Sequence, residues 1–158
     1  MGFLNIFSKK SRIKQKTKIK VLIDYRERNC LIASELVSMG FIIEFRELKV
    51  ADYIVKDTAI ERKTINDFIS SMINRRLLKQ LEELQQYKNR LLIIEGIEEQ
   101  ELYTDSKEWT GMNPNAIRGF LLSILLKYKV PIIFTKNYLV KLSLNSIFIR
   151  RDKKNEGI

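Results

Sequence analysis

The chain of 158 residues contains no histidine. That absence excludes histidine-based zinc hydrolase centres, a Ser-His-Asp triad and any nuclease relying on a histidine general base. Cysteine occurs once, as Cys30, which excludes an intrachain disulfide and a multi-cysteine zinc site. Standing at the start of an expected helix, Cys30 reads as a partly buried structural thiol. No apolar run approaches the roughly 20 residues that a transmembrane helix needs. The opening Met1-Gly2-Phe3-Leu4-Asn5-Ile6-Phe7 is too short for a secretory core, and its charges follow rather than precede it. Ile6 stands where a myristoylation motif needs Ser or Thr. The expectation is an intracellular protein, cytoplasmic or nucleoid-associated in a prokaryote, with no membrane partner. Carboxylates, lysine, tyrosine and bound water are what remain for chemistry.

Positive charge is abundant instead. The net charge of +10 points to a polyanionic partner, and its distribution is uneven. Lys9, Lys10, Arg12, Lys14, Lys16, Lys18 and Lys20 run through Ser8–Lys20 without one acid. Such an arm either solvates the chain or contacts phosphates, each contact adding salt-dependent affinity without sequence choice. Lys14, Lys16 and Lys18 are the candidate DNA contacts. The length and an apolar fraction of 45% fit one ordinary soluble domain. The expected division is a basic arm over 1–19, a domain over 20–150 and a tail over 151–158.

Periodicity orders the elements. Lys20–Asp24 is an expected strand, and Cys30–Met39 carries Leu31, Ile32, Leu36 and Val37 at helical spacing before Gly40, a C-capping glycine. Phe41–Arg46 alternates as a half-buried strand. Tyr53–Val55 and Ala59–Arg62 read as a hairpin turning at Lys56-Asp57-Thr58. Thr64 is placed to cap a helix starting at Ile65, with Asp67 in its first turn. Arg76–Tyr87 presents Leu77, Leu81 and Leu84 on one face, with Arg76 and Gln80 on a flank. Leu91–Glu95 is a buried strand, and 97–112 is polar, with Trp109 as a loop anchor. Asn113-Pro114 opens a helix running to Tyr128. A strand over Pro131–Phe134 and a last helix over Tyr138–Ile149 follow. Strands alternating with helices predict an α/β layer fold.

Chemistry concentrates in Asp52 and Glu61-Arg62-Lys63. Pairing across the turn brings Asp52 and Glu61 to one end of the hairpin, and strand alternation puts Glu61 and Lys63 on one face with Arg62 on the other. Two carboxylates beside an ammonium hold a hard divalent cation and a phosphate together, since Mg²⁺ binds through one or two carboxylates plus substrate phosphates. The lysine then positions the attacking water or offsets developing charge. The competing reading is a solvated face with weak cross-strand pairs.

With Asp24-Tyr25-Arg26-Glu27 upstream and Ser70-Ser71, Arg76-Leu77, Gln80 and Leu91-Leu92-Ile93-Ile94-Glu95-Gly96 downstream, the chain resembles the XPF family of structure-specific endonucleases. The resemblance runs from about Lys20 to Phe134 and is nearest to the archaeal XPF and Hef nuclease domains. Its core is Ala51-Asp52 followed by Glu61-Arg62-Lys63-Thr64-Ile65-Asn66-Asp67. Asn113-Pro114-Asn115-Ala116-Ile117-Arg118-Gly119 and Val130-Pro131-Ile132-Ile133-Phe134 also look like the archaeal branch. The resemblance implies a restriction-endonuclease-like mixed central sheet flanked by helices. It implies Mg²⁺- or Mn²⁺-dependent hydrolysis of phosphodiesters at branched double-stranded DNA (forks, 3′ flaps, nicked junctions) in repair or fork processing. Asp52 and Glu61 would be the principal metal ligands, with Asp24 completing the acidic cluster and the Arg62 carbonyl as an optional further ligand. Glu27 would assist, Lys63 would serve the nucleophile or the developing charge, Asp67 would support the site, and Arg76 would face DNA or brace the cleft.

Ala51 and Arg75 depart from the family by standing where glycine is usual or common. Alanine accommodates a close backbone approach far better than a positive φ. The six glycines include no closely spaced pair of the kind that helix-hairpin-helix modules of relatives use, so a bare nuclease domain is expected. The family implies a homodimer through the C-terminal helices between Ile117 and Ile149. Phe3-Leu4-Ile6-Phe7 resembles a sliding-clamp peptide without its glutamine and paired aromatics, so a clamp or a separate DNA-binding subunit is a further partner to consider. The competing function is a non-catalytic DNA-binding or dimerisation subunit. Such subunits usually lack the acidic and Glu-Arg-Lys positions retained here.

Overall fold

The structure, a computed structural model, describes residues 19–96 and 113–136. The basic arm with Lys14, Lys16 and Lys18, the polar segment with Trp109 and the expected last helix lie outside the described residues.

Six strands form one mixed sheet in the order β2-β1-β3-β4-β5-β6. The strands are β1 (Lys20–Asp24), β2 (Ile42–Arg46), β3 (Tyr53–Val55), β4 (Thr58–Thr64), β5 (Asn89–Glu95) and β6 (Ile132–Thr135). The helices are α1 (Leu31–Ser38), α2 (Ile65–Ile73), α3 (Arg76–Leu84) and α4 (Pro114–Leu126), with a 3₁₀ turn over Tyr25–Glu27. β1 and β2 are parallel and joined by α1, while β4 and β5 are parallel and joined by α2 and α3. Helical crossovers are the usual way to return a chain for parallel pairing. β3 is antiparallel to both β1 and β4.

Local chemistry sets the boundaries. α1 stops before Gly40, which takes φ +90. The Thr64 hydroxyl accepts from the Asp67 N–H at 3.2 Å to open α2, and the Asn113 side chain accepts from Asn115 N–H at 2.9 Å ahead of Pro114. The hairpin turn is shorter than the sequence suggests. Thr58 pairs with Val55, so Lys56 and Asp57 alone make the turn, with Lys56 at φ 54. Tight two-residue hairpins need such a positive φ to match strand twist.

Each sheet face carries its own core. Val21, Ile23, Tyr53, Val55, Ile60, Leu91 and Ile93 pack with Ile32 and Leu36 of α1. Ala59, Leu92 and Ile94 pack on the opposite face with Phe68, Leu77, Leu81, Leu84 and Ile124. Leu77, Leu81 and Leu84 are fully buried, and each such side chain contributes roughly 1.5–3 kcal/mol. They hold α3 across β4, which brings position 80 over that strand.

Ala51 enters β3 at φ 70, and Arg75 opens α3 at φ 61. The two departures from glycine therefore fall where glycine's conformational freedom is used, not where only close approach is needed. The left-handed conformation costs an L-residue about 1–2 kcal/mol, and the larger unfolded-state entropy of glycine offsets about 0.4–1 kcal/mol of any relief. Ala51→Gly is expected to stabilise the domain by about 0.5–1 kcal/mol, raising Tm by roughly 2–4 °C at most. A thermal melt in which the variant unfolds earlier than the parent would contradict strain at Ala51.

Candidate active site

Asp52 sits where three strands meet. Its N–H donates to Ile60 O and its carbonyl accepts from Asp24 N–H, both at 2.9 Å. Its Oδ2 accepts from the Arg62 N–H at 2.8 Å. The residue is thus stitched to β1 and β4 by its backbone and to β4 by its side chain. β3–β4 pairing, which sets Tyr53 opposite Ile60, carries Asp52 to the level of Glu61.

Glu61 and Lys63 share the α2–α3 face of β4 and are both buried, 4% and 6% exposed. The Glu61 Oε1 accepts two hydrogen bonds, from Lys63 Nζ at 3.0 Å and from Gln80 Nε2 at 2.7 Å. No donor among the described residues bonds Glu61 Oε2 or Asp52 Oδ1. Each carboxylate therefore has one oxygen held by the protein and one left over. Burial, and then repulsion from Glu61, push the Asp52 carboxyl up to about 7 against the Arg62 N–H, with Glu27 adding to the repulsion. A hard cation suits this donor set, because it takes carboxylate oxygens and removes the charge excess.

Arg62 points to the other face of β4, as alternation requires. Its guanidinium pairs with Glu27 Oε2 at 3.3 Å and with Glu95 Oε2, and Tyr53 OH donates to Glu27 Oε2 at 2.6 Å. Burial works against the Arg62 charge, but Glu27 and Glu95 outweigh it and raise its pKa. Burial and the Glu27 carboxylate likewise drive the Tyr53 phenol upward. The sequence did not reveal this Tyr53–Glu27–Arg62–Glu95 network. Glu95 ends β5 in register with Thr64, and only that pairing brings it onto the face of Arg62.

Both carboxylate oxygens of Asp24 are occupied by protein donors. Its Oδ1 accepts from Arg26 N–H at 2.8 Å and Arg26 Nε at 2.6 Å, and its Oδ2 accepts from Leu48 N–H at 2.8 Å. Burial would raise the Asp24 carboxyl, but these bonds hold it below the usual range. Among the described residues no three acidic or thiol groups gather as a metal site. Asp24 anchors Arg26 through two of its three bonds. Arg26 is largely exposed, and the Asp52 and Glu61 carboxylates add to the Asp24 bond in raising its pKa. Asp67 is exposed and accepts from the Thr64 hydroxyl at 2.9 Å, a helix-capping contact. Arg76 is exposed, its N–H donating to Asn74 Oδ1 at 3.0 Å. Gln80, expected only on a helix flank, reaches Glu61; its place on the buried stripe of Leu77, Leu81 and Leu84 was the available signal.

The architecture is the α/β restriction-endonuclease type expected from the sequence. XPF from Aeropyrum pernix, solved in complex with DNA, shares it with a TM-score of 0.74 and 25% identity over 87% of this chain and 66% of that one. A second structure of XPF from Aeropyrum pernix gives 0.68 and 26%, over 87% and 68%. Residues 23–140 match the ERCC4 domain, and the chain belongs to that family as an XPF-type nuclease domain. A Methanocaldococcus jannaschii protein named as an ATP-dependent RNA helicase is 38% identical over 123 residues, 77% of this chain and 14% of its own length. The 3′-flap repair endonuclease Xpf of Saccharolobus solfataricus is 29% identical over 121 residues, 75% of this chain and 49% of its own. The chain thus spans half or less of these curated relatives. No helix of the described residues is long and apolar enough to cross a membrane.

The raised Asp52 pKa makes a signed prediction. The folded state holds the proton more tightly than the unfolded state, so its stability falls as pH rises from 3.8 to about 7 and stays lowered above that. Asp52→Asn keeps an acceptor for the Arg62 N–H and removes the charge. In chelator, the variant should match the parent in acid and exceed its stability above neutral pH, by on the order of 1–3 kcal/mol. Equal stability of the two proteins across that whole range would show that Asp52 carries no such penalty.

Proposed function

We propose that this domain catalyses divalent-metal-dependent hydrolysis of phosphodiesters in branched DNA, with forks, 3′ flaps and nicked junctions as substrates. The observation that carries the reading is the buried set of Asp52, Glu61 and Lys63, with one oxygen of each carboxylate held and the other available. The relative named as a 3′-flap repair endonuclease and the neighbour solved with DNA support the substrate class. The helicase name is not carried over, because this chain matches 14% of that protein.

Asp52 and Glu61 would hold Mg²⁺ or Mn²⁺, which supplies positive charge beside the scissile phosphate. Lys63 brings an ammonium to the same place, and its burial strengthens the attraction by excluding water. Arg62 acts at one remove: its N–H fixes Asp52, while Glu27 and Glu95 fix its guanidinium on the opposite face. Asp24 holds Arg26 at the rim, an exposed cation for the DNA backbone. The rival reading, a non-catalytic subunit, leaves the retained acids and lysine without a use.

Asp52→Asn, Glu61→Gln and Lys63→Ala should each lower cleavage of a labelled flap by about 10²–10³ with Mg²⁺ present. DNA affinity should persist, and rise for the two acid variants as a charge repelling phosphate is removed. Three variants that cut at the parent rate would place the chemistry elsewhere. Cleavage that falls in step with Tm would assign these residues to the sheet.

A second copy of the chain is the proposed partner. α4 buries Ile124 but leaves Leu122, Leu125 and Leu126 at 56%, 44% and 75% exposure. Sedimentation equilibrium should give twice the 18.7 kDa chain mass at micromolar concentration. Leu126→Lys should shift it toward monomer, whereas a monomeric parent would remove the dimer from the reading.

A further inference from the structure

Gln80 carries one of three buried side-chain polar atoms without a hydrogen-bond partner among the described residues, and it lies beside Glu61. Its Nε2 donates to Glu61 Oε1 at 2.7 Å, while its own Oε1 is buried without a hydrogen-bond partner. The amide orientation follows from the chemistry: turning it over would set a carbonyl oxygen against a carboxylate oxygen at that distance. Native proteins rarely keep a buried acceptor unsatisfied, so each case calls for a cause. α3 cannot easily back away to wet this oxygen, because Leu77, Leu81 and Leu84 pin the helix to the sheet.

A donor with N–H groups to spare on the same face of β4 is the Lys63 ammonium. Lys63 Nζ and Gln80 Nε2 meet at the same atom, Glu61 Oε1, at 3.0 and 2.7 Å. An ammonium carries three N–H groups, and one is used in that contact. The other end of the Gln80 amide is therefore within a short side-chain swing of Nζ. We propose that Gln80 is a positioning residue with two duties. Its amide N–H holds Glu61 by Oε1 so that Oε2 stays available to a cation. Its carbonyl oxygen receives the Lys63 ammonium when a cation draws on the Glu61 charge. Lys63 then keeps a buried partner beside the phosphate instead of swinging out to water. This inference rests on the metal-dependent reading above and adds the handover of one hydrogen bond.

The test follows the Gln80 side-chain carbonyl by carbon NMR during a Mg²⁺ titration of the whole chain, with the Glu61 carboxyl as an internal report of binding. The Gln80 signal should move together with that of Glu61 in the parent. It should move much less in Lys63→Met, which lacks the donor and leaves only the contact of the Gln80 amide with Glu61. Gln80→Met, similar in length but without hydrogen-bonding groups, should weaken Mn²⁺ binding in calorimetry and lower single-turnover flap cleavage by about 10–100-fold. Its DNA affinity in chelator should be unchanged. A Gln80 signal that ignores bound Mg²⁺, or moves equally in Lys63→Met, overturns the handover. Parent-like Mn²⁺ affinity in Gln80→Met overturns the positioning of Glu61. A Glu61 signal that never responds to Mg²⁺ is a separate result and removes the metal-dependent reading itself.

Discussion

Two carboxylates, Asp52 and Glu61, are buried at one level of the sheet with a single ammonium, Lys63, bonded to Glu61, and the rest of the site is arranged around that imbalance. Burial disfavours the Asp52 charge and repulsion from Glu61 adds to it, so the Asp52 pKa is raised. A site of this kind is costly to the folded apo chain. Its persistence makes sense if the missing positive charge arrives from outside, as a cation, and if the surrounding frame is stiff enough to hold the acids together until it does.

The frame is covalently simple. Asp52 is held by the backbone of β1 and β4, and by an N–H that belongs to Arg62. Arg62 cannot move without disturbing Glu27, Glu95 and, through Glu27, Tyr53. A buried ion pair of this type adds little net stability, but removing one partner leaves an uncompensated charge, at about 3–5 kcal/mol. The network on the α1 face therefore acts as a lock behind the site on the α2–α3 face. Consecutive residues of one strand divide the work: Glu61 and Lys63 face α2 and α3, and the Arg62 guanidinium is anchored on the opposite face.

That division was legible in the sequence, because a period of two is all it requires, and the hairpin that levels Asp52 with Glu61 could be read from its polar turn. The helices with side-chain caps, at Thr64 and Asn113, were legible for the same reason: the signal lies within three residues of the boundary. What stayed hidden depended on pairing between distant strands. Glu95 meets Arg62 only because β5 runs parallel to β4 in one register, and Asp24 turns to Leu48 only because of the loop after β2. The backbone of Ala51 was hidden in another way. Alanine gives no sign of a positive φ, and the family's glycine was the only clue that position 51 needs one.

Glycine's absence at Ala51 bears on the site as well as on stability. A strained residue directly before Asp52 persists because its surroundings fix it: Ala51 is itself buried, and the following Asp52 is bonded to two strands. Ala51 cannot relax toward an ordinary φ without pulling Asp52 N–H from Ile60 or its carbonyl from Asp24. Strain at Ala51 and repulsion from Glu61 both bear on Asp52, and the Arg62 N–H on Oδ2 is one bond that holds it in place. A cation shared by the two carboxylates would hold it too, so the domain should be at its most rigid around Ala51 and Asp52 when the site is filled.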